Sequence, residues 1–217
     1  MQLSAIRARN VLTALFVIAL AAVVLGCETY TIVTIPPKVD LQKFNTIGVI
    51  AFDAGKETGL ARKCTQRFIE RMQGAQPGVL VLELGTKADL LKEVGKTDLN
   101  ADALKAIGAA NSVSAVLFAQ LDVEEPETQV SVRSLSLSGV SARESVKASL
   151  GAKLWVSGNG ALAWSDSARG EWTLAKASLS NIRVNDPDDK YNQMVDELVY
   201  ATTRDFRPTQ ERRVVEK

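Results

Sequence analysis

The chain has 217 residues, 46% of them hydrophobic, and its 26 Lys and Arg against 25 Asp and Glu leave a formal net charge of +1. Near-neutrality argues against a nucleic-acid partner, which wants a basic stripe. There is no histidine, which removes Ser-His and Cys-His nucleophile pairs and histidine-held metals in one stroke. The chain opens with the basic pair Arg7 and Arg9, and residues 11–26 then run without a charge into Cys27. A membrane-spanning helix needs about 20 apolar residues, more than this run holds. A buried core helix keeps a polar face, whereas between Leu12 and Leu25 only Thr13 is polar. A basic start, a short apolar centre and small residues at its end fit a signal peptide over residues 1–26.

The tetrapeptide Val24-Leu25-Gly26-Cys27 resembles the lipobox of bacterial lipoproteins. That resemblance implies a signal-peptidase motif at Val24, Leu25 and Gly26, and lipidation of Cys27. The Cys27 sulfur would carry a diacylglycerol and its freed amine an acyl chain such as palmitate; no other cofactor is expected. Acyl chains contribute about 0.8 kcal/mol per buried CH2, so more than one makes a stable membrane anchor. Glu28, in place of the Asp that commonly marks inner-membrane retention, leans toward the inner leaflet of the outer membrane, facing the periplasm. Two of the 26 basic residues, Arg7 and Arg9, fall in the removed segment, and 24 remain against 25 acidic ones. Cys64 is then the remaining thiol, so no intrachain disulfide forms, and a lone thiol in an oxidising compartment is best buried.

Residues 27–43, lipidated Cys included, read as an extended tether, because Pro36-Pro37 excludes helix. "FNTIGVIAF" (44–52) is rich in β-branched residues and reads as a strand buried on both faces. Asp53, Gly55 and Gly59 make a loop. From Thr58 to Gln73, Leu60, Cys64, Phe68 and Met72 form one helical stripe, stopped by Gly74 and Pro77. "GVLVLEL" (78–84) is a second strand. "TKADLLKEV" (86–94) is a helix capped by Thr86, and "NADALKAIGAAN" (100–111) one capped by Asn100. "SVSAVLFAQLDV" (112–123) is a third strand.

The second half changes character. Residues 128–156 carry period-two patches and many serines, and predict two long antiparallel strands meeting near Gly139. The part from 128 to 150 is a Ser-rich hairpin. "LWVSGNGALAW" (154–164) turns at Asn159-Gly160. A turn at Ala168 to Gly170 and a strand from Trp172 to Leu179 follow. Residues 186–206 predict a helix, with Asp188 and Asp189 at its positive end and Tyr191, Met194, Val195, Leu198 and Val199 facing inward. Pro208 stops it, and 207–217 reads as a loose tail. The fold class is α/β (α+β): a mixed sheet with helices on its faces, β-α-β-α-α-β, then antiparallel hairpins and a C-terminal helix, in one domain over 44–206.

Candidate chemistry is sparse. Cys64 sits on an apolar helical stripe and reads as a packed core thiol. "GNGALA" (158–163) matches a loose dinucleotide-loop pattern, but no helix follows it, so it reads as the hairpin turn. A calcium loop starting at Asp186 would need an oxygen ligand where Lys190 stands and Gly where Tyr191 stands. The "DVEEPET" acids (122–128) therefore read as a solvated loop and "NDPDD" (185–189) as a helix start. Arg204, Arg207, Arg212 and Arg213 could meet phospholipid headgroups, but Asp205, Glu211 and Glu216 dilute that signal and favour a solvated tail.

Several segments together, "VDLQKFNTIGVIAFD", "LKAIGAANSVSAVLFAQL" and above all "VKASLGAKLWVSGNGALAWS", resemble the curli-secretion channel lipoprotein CsgG and its relatives. These share a periplasmic α/β domain with the penicillin-binding-protein activator LpoB and the N-terminal domain of TolB. The resemblance spans roughly residues 38 to 206 and carries no catalytic motif. It implies a non-catalytic, lipid-anchored module that binds a protein partner in an envelope assembly, at the free sheet edges and the Ser-rich hairpin. The alternative it implies is a homo-oligomeric export component. A membrane strand takes about 9–11 residues; 128–150 has room for one such hairpin, and the stretch between Trp164 and Asp186 has no room for a second.

Overall fold

A computed structural model describes residues 30–132, 140–178, 181–184 and 186–214. The signal-peptide and lipobox residues, Cys27 among them, and the tip of the Ser-rich hairpin around Gly139 lie outside the described residues. The fold is α+β. The described residues form two compact units, Pro37–Pro208 and a smaller one made by the chain up to Pro36 and from Thr209 onward.

The larger unit begins as the sequence predicts. β2 (Ile47–Ala51) is buried along both faces. α1 (Thr58–Ala75) buries Ala61, Cys64, Thr65, Phe68 and Met72 along one stripe. β3 (Val81–Thr86) lies parallel to β2. α2 (Lys87–Glu93) is capped by Thr86, whose hydroxyl accepts from the Asp89 N–H, and α3 (Ala101–Ala110) by Asn100, which accepts from the Ala103 N–H. β4 (Ala115–Val123) lies parallel to β2 on its other side and antiparallel to β6 (Val140–Val156). β7 (Leu162–Ser178) and β8 (Asn181–Val184) follow in antiparallel order, giving β3-β2-β4-β6-β7-β8. The short β5 (Glu127–Val132) pairs with the first residues of β6. α4 (Pro187–Thr202), capped by Asp186, closes the unit with a 3-10 turn at Arg204–Phe206.

Two apolar cores flank the sheet. The larger joins α1 and α4 to the sheet through Phe68, Leu117, Leu150, Trp172, Met194 and Phe206. Phe68 packs edge-on to Phe52 at 5.2 Å and to Phe206 at 6.2 Å. Each such side chain contributes about 1.5–3 kcal/mol by leaving water. The smaller core places Leu90, Leu104 and Ile107 against Ile50 and Val116 on the opposite face. Among the described residues the smaller core covers the second face mainly over β2 and β4, with Trp155 of β6 at its margin. Along β7, Trp164, Trp172 and Leu174 are buried while Ser165, Ser167, Arg169 and Glu171 are exposed, as an antiparallel sheet with one wet face requires.

Four expectations are corrected. The tether is structured: Tyr30–Ile35 forms β1, and Leu41–Lys43 a 3-10 turn with Leu41 wholly buried. The buried Gln76 holds this segment. Its Oε1 accepts from the Leu41 N–H at 2.8 Å, and its Nε2 donates to the carbonyls of Val39 (2.6 Å) and Phe206 (3.0 Å). The loose tail contains β9 (Thr209–Val214), which pairs antiparallel with β1 in a two-stranded ribbon, the smaller unit. The turn at Ala168 to Gly170 is the middle of β7, where these residues pair with Leu150, Ser149 and Ala148. Gly170 is there for space: a Cβ would stand 2.5 Å from Trp172 Cη2, so the indole lies over the glycine. Finally, β6 has a second and longer partner that the sequence does not predict: β5 pairs antiparallel with its first residues, as predicted, over the described Glu127–Val132, and β7 pairs along Ser141–Trp155.

Candidate partner-binding surfaces

β3 is an outer strand of the sheet, with β2 on one side and no neighbour on the other among the described residues. Its stretch "VLVLEL" alternates. Val79 is buried and Val81 packs on the larger core, whereas Leu84 packs on the smaller one. Leu80 and Leu82 share Leu84's side of the strand, and they are 63% and 44% exposed. An unpaired backbone edge beside two bare leucines is a surface ready to receive another strand. The sequence run identified the strand but not this exposure; the signal was leucine at every second position, 80, 82 and 84.

The Ser-rich region supplies a second surface. β5, the start of β6, the end of β7 and β8 make a four-stranded antiparallel extension. β5 is exposed throughout its described side chains, Val130 to 64%. Lys147 Nζ donates to Glu127 Oε2 at 3.2 Å, which places one acid of the 122–128 cluster in a surface ion pair.

The other sequence candidates are brought to separate places. Cys64 is wholly buried in the larger core, and burial pushes its thiol up to about 12. Gly160 takes φ +69° in the turn, and Asn159 Oδ1 accepts from the Ala161 N–H. Asp186 Oδ1 accepts from the Asp188 N–H, so this acid cluster is a helix start. Among the described residues no group of three metal-ligating side chains converges. Arg204 is exposed, Arg207 lies 3.8 Å over the Tyr200 ring and donates to the Tyr200 carbonyl, and Arg212 and Arg213 are on β9. With Arg71 at 5.4 Å from the same ring, Tyr200 forms a surface stack that the sequence alone did not reveal. Asp205 is ion-paired with Lys38 at 2.9 Å. That ammonium holds its carboxyl below the usual value; partial burial opposes the shift and the Trp164 indole N–H adds to it.

No family model matches the sequence, and no curated protein matches it. Solved structures match loosely. The PelC dodecamer protein of Paraburkholderia phytofirmans is 11% identical with a TM-score of 0.42, over 82% of this chain and 98% of PelC. The lipoprotein GNA1162 of Neisseria meningitidis is 19% identical with a TM-score of 0.34, over 63% of this chain and 85% of its own. The C-terminal domain of LpoB from Salmonella enterica is 9% identical with a TM-score of 0.35, over 58% of this chain and 82% of that domain. Superpositions this loose are likenesses of shape and carry no argument about partner or activity.

Proposed function

We propose that the chain is a non-catalytic, lipid-anchored module of the bacterial periplasm that binds a protein partner along the open edge of β3. The observation that carries this reading is the exposed Leu80–Leu82 pair on an outer strand without a neighbour among the described residues. Backbone hydrogen bonds along such an edge supply affinity, and the leucines supply pockets or knobs that select the partner. The lipobox resemblance at Val24 to Cys27 supports an anchor in the inner leaflet of the outer membrane, and the resemblance of the sequence over residues 38 to 206 to CsgG and its relatives supports an envelope partner. The absence of histidine from the sequence supports a binding role over a catalytic one.

Two measurements test it. Mass spectrometry of the native protein should find Cys27 at the N-terminus with acyl chains; an intact Met1 and a free Cys27 thiol would remove the anchor. Capture from cross-linked envelopes should depend on β3: the intact lipidated chain retains a partner that the Leu80→Lys/Leu82→Lys chain loses. Equal capture by both would show the edge is the wrong surface.

A second reading, a homo-oligomeric export component, is favoured by one observation. β6 and β7 run for 17 residues each and, with β5 and β8, form an extension of four strands. On this reading a Cys27→Ser chain forms rings or needs detergent; a detergent-free monomer by sedimentation supports the binding module.

A further inference from the structure

The connections that follow β2 and β3 leave the sheet for opposite faces, one to α1 beside the larger core and one to α2 beside the smaller. A crevice of about 1140 Å3 opens between them. In sheets with parallel strands, the gap where successive connections diverge at the carboxyl ends is where small ligands settle. Phe52, Thr65 and Leu91, all buried, line it. Thr65 fixes this lining: its hydroxyl donates to the Ala61 carbonyl and accepts from the Phe52 N–H at 2.9 Å, tying the end of β2 to α1.

The walls are basic. Arg62 from α1 and Lys87, Lys92 and Lys96 from α2 and the loop after it line the space, against Asp53 and Glu83. Asp53 already accepts the Gly55 N–H at 2.9 Å. Arg62, Lys92 and Lys96 have no ion-pair partner among the described residues, whereas Lys38, Arg67, Lys105 and Lys147 each have one. Four cations against two acids around a partly apolar cleft raise the local positive potential and draw in anions. The first turn of α1, with Thr58 in the lining, adds to this field. Its preceding residue Glu57 makes no capping bond, whereas Thr86, Asn100 and Asp186 cap the other helices.

We propose that this crevice binds a small phosphorylated molecule with an apolar portion. The phosphate meets Arg62, Lys92 and Lys96, and the apolar part rests on Phe52 and Leu91. This goes beyond docking at the β3 edge and does not depend on it; either can fail alone.

Acetylation footprinting of the full chain in zwitterionic vesicles tests it, with phenyl phosphate as the probe. Lys92 and Lys96 report the site, and the exposed Lys43 and Lys176 are references. Phenyl phosphate should slow acetylation of Lys92 and Lys96 and leave the references unchanged, while phenol should do nothing. Arg62→Glu keeps both reporter lysines and should raise the half-protecting concentration roughly tenfold. A second arm replaces phenyl phosphate with phosphatidylglycerol in the vesicles. Protection in that arm alone assigns the phosphate to a lipid headgroup, and protection by phenyl phosphate alone assigns it to a soluble molecule. Unchanged rates at Lys92 and Lys96 in both arms, or equal protection of the Arg62→Glu chain, overturns the proposal.

Discussion

Gly108→Ala sets two effects of known size against each other. Gly108 is buried in α3, and alanine in a helix interior is favoured over glycine by about 1 kcal/mol. On propensity alone the substitution should stabilise. A Cβ at this position, however, would stand 2.3 Å from Ser157 Cβ, 2.5 Å from Ser157 Oγ and 3.3 Å from the Val113 carbonyl oxygen. Ser157 Cβ hangs directly on the backbone of the turn between β6 and β7, so no change of rotamer moves it. The helix or the turn must retreat by more than an atom's slack, and overpacking of this kind costs about 1–3 kcal/mol or more. The net expectation is a loss of about 1 kcal/mol. For a chain of this size that lowers the Tm by about 2–4 °C in calorimetry. A second substitution isolates the cause. Ser157→Gly removes both clashing atoms, together with a buried hydroxyl that has no hydrogen-bond partner among the described residues. The double variant should recover a coupling of at least about 1 kcal/mol in a mutant cycle. A Gly108→Ala chain that melts at or above the parent would refute the reasoning, since propensity would then outweigh contact.

Three further outcomes follow from named contacts. Trp172→Phe removes the indole N–H that donates to Glu197 Oε2 at 2.8 Å, and should cost about 1–2 kcal/mol in urea unfolding; no change would mean that the bond exchanges freely with water. Asp205 is held ionised chiefly by Lys38. Because its folded-state pKa is depressed, its stabilisation is complete above the unfolded Asp value and is lost as pH falls through the lower folded one. The urea midpoints of the parent and Asp205→Asn chains should therefore differ at neutral pH and converge as the pH falls below the ordinary value of 3.8; a gap independent of pH would count against the ion pair. Burial raises the Cys64 thiol to about 12, so a Cys27→Ser chain should resist a thiol-reactive disulfide reagent at neutral pH until denaturant is added. Fast labelling of the folded chain would contradict that core position.

Local patterns were readable wherever the controlling contact lay within a few residues. The stripe Cys64, Phe68, Met72 repeats at helical spacing, and Thr86 and Asn100 cap the turns they begin, so those elements could be placed from sequence. The β1/β9 ribbon could not, because its strands stand at opposite ends of the chain and neither has an alternating apolar face of its own. Gly170 misled for a different reason. Glycine serves both tight turns and close approaches, and only the position of Trp172 shows which applies. The surfaces were less legible than the core. "VLVLEL" gives the same reading whether both faces are covered or one end of a face is bare, and coverage depends on where α2 and α3 stop. Arg62 and Lys92 come from separate helices, and it is the divergence of two connections that gathers them around one cleft. The chemistry of Cys27 and its neighbours is carried by the lipobox resemblance alone.

The Gln76 amide has a mechanical consequence. A pull on the chain ahead of Pro37 first parts the β1/β9 pairing and then arrives at Val39 and Leu41. There a single side chain, itself near the end of the first long helix, grips the incoming segment and the carbonyl of Phe206 at once. Traction is thus shared between early and late parts of the chain instead of peeling them apart in turn. Single-molecule pulling from Pro37 should show one high-force rupture, and Gln76→Ala should split it into smaller steps.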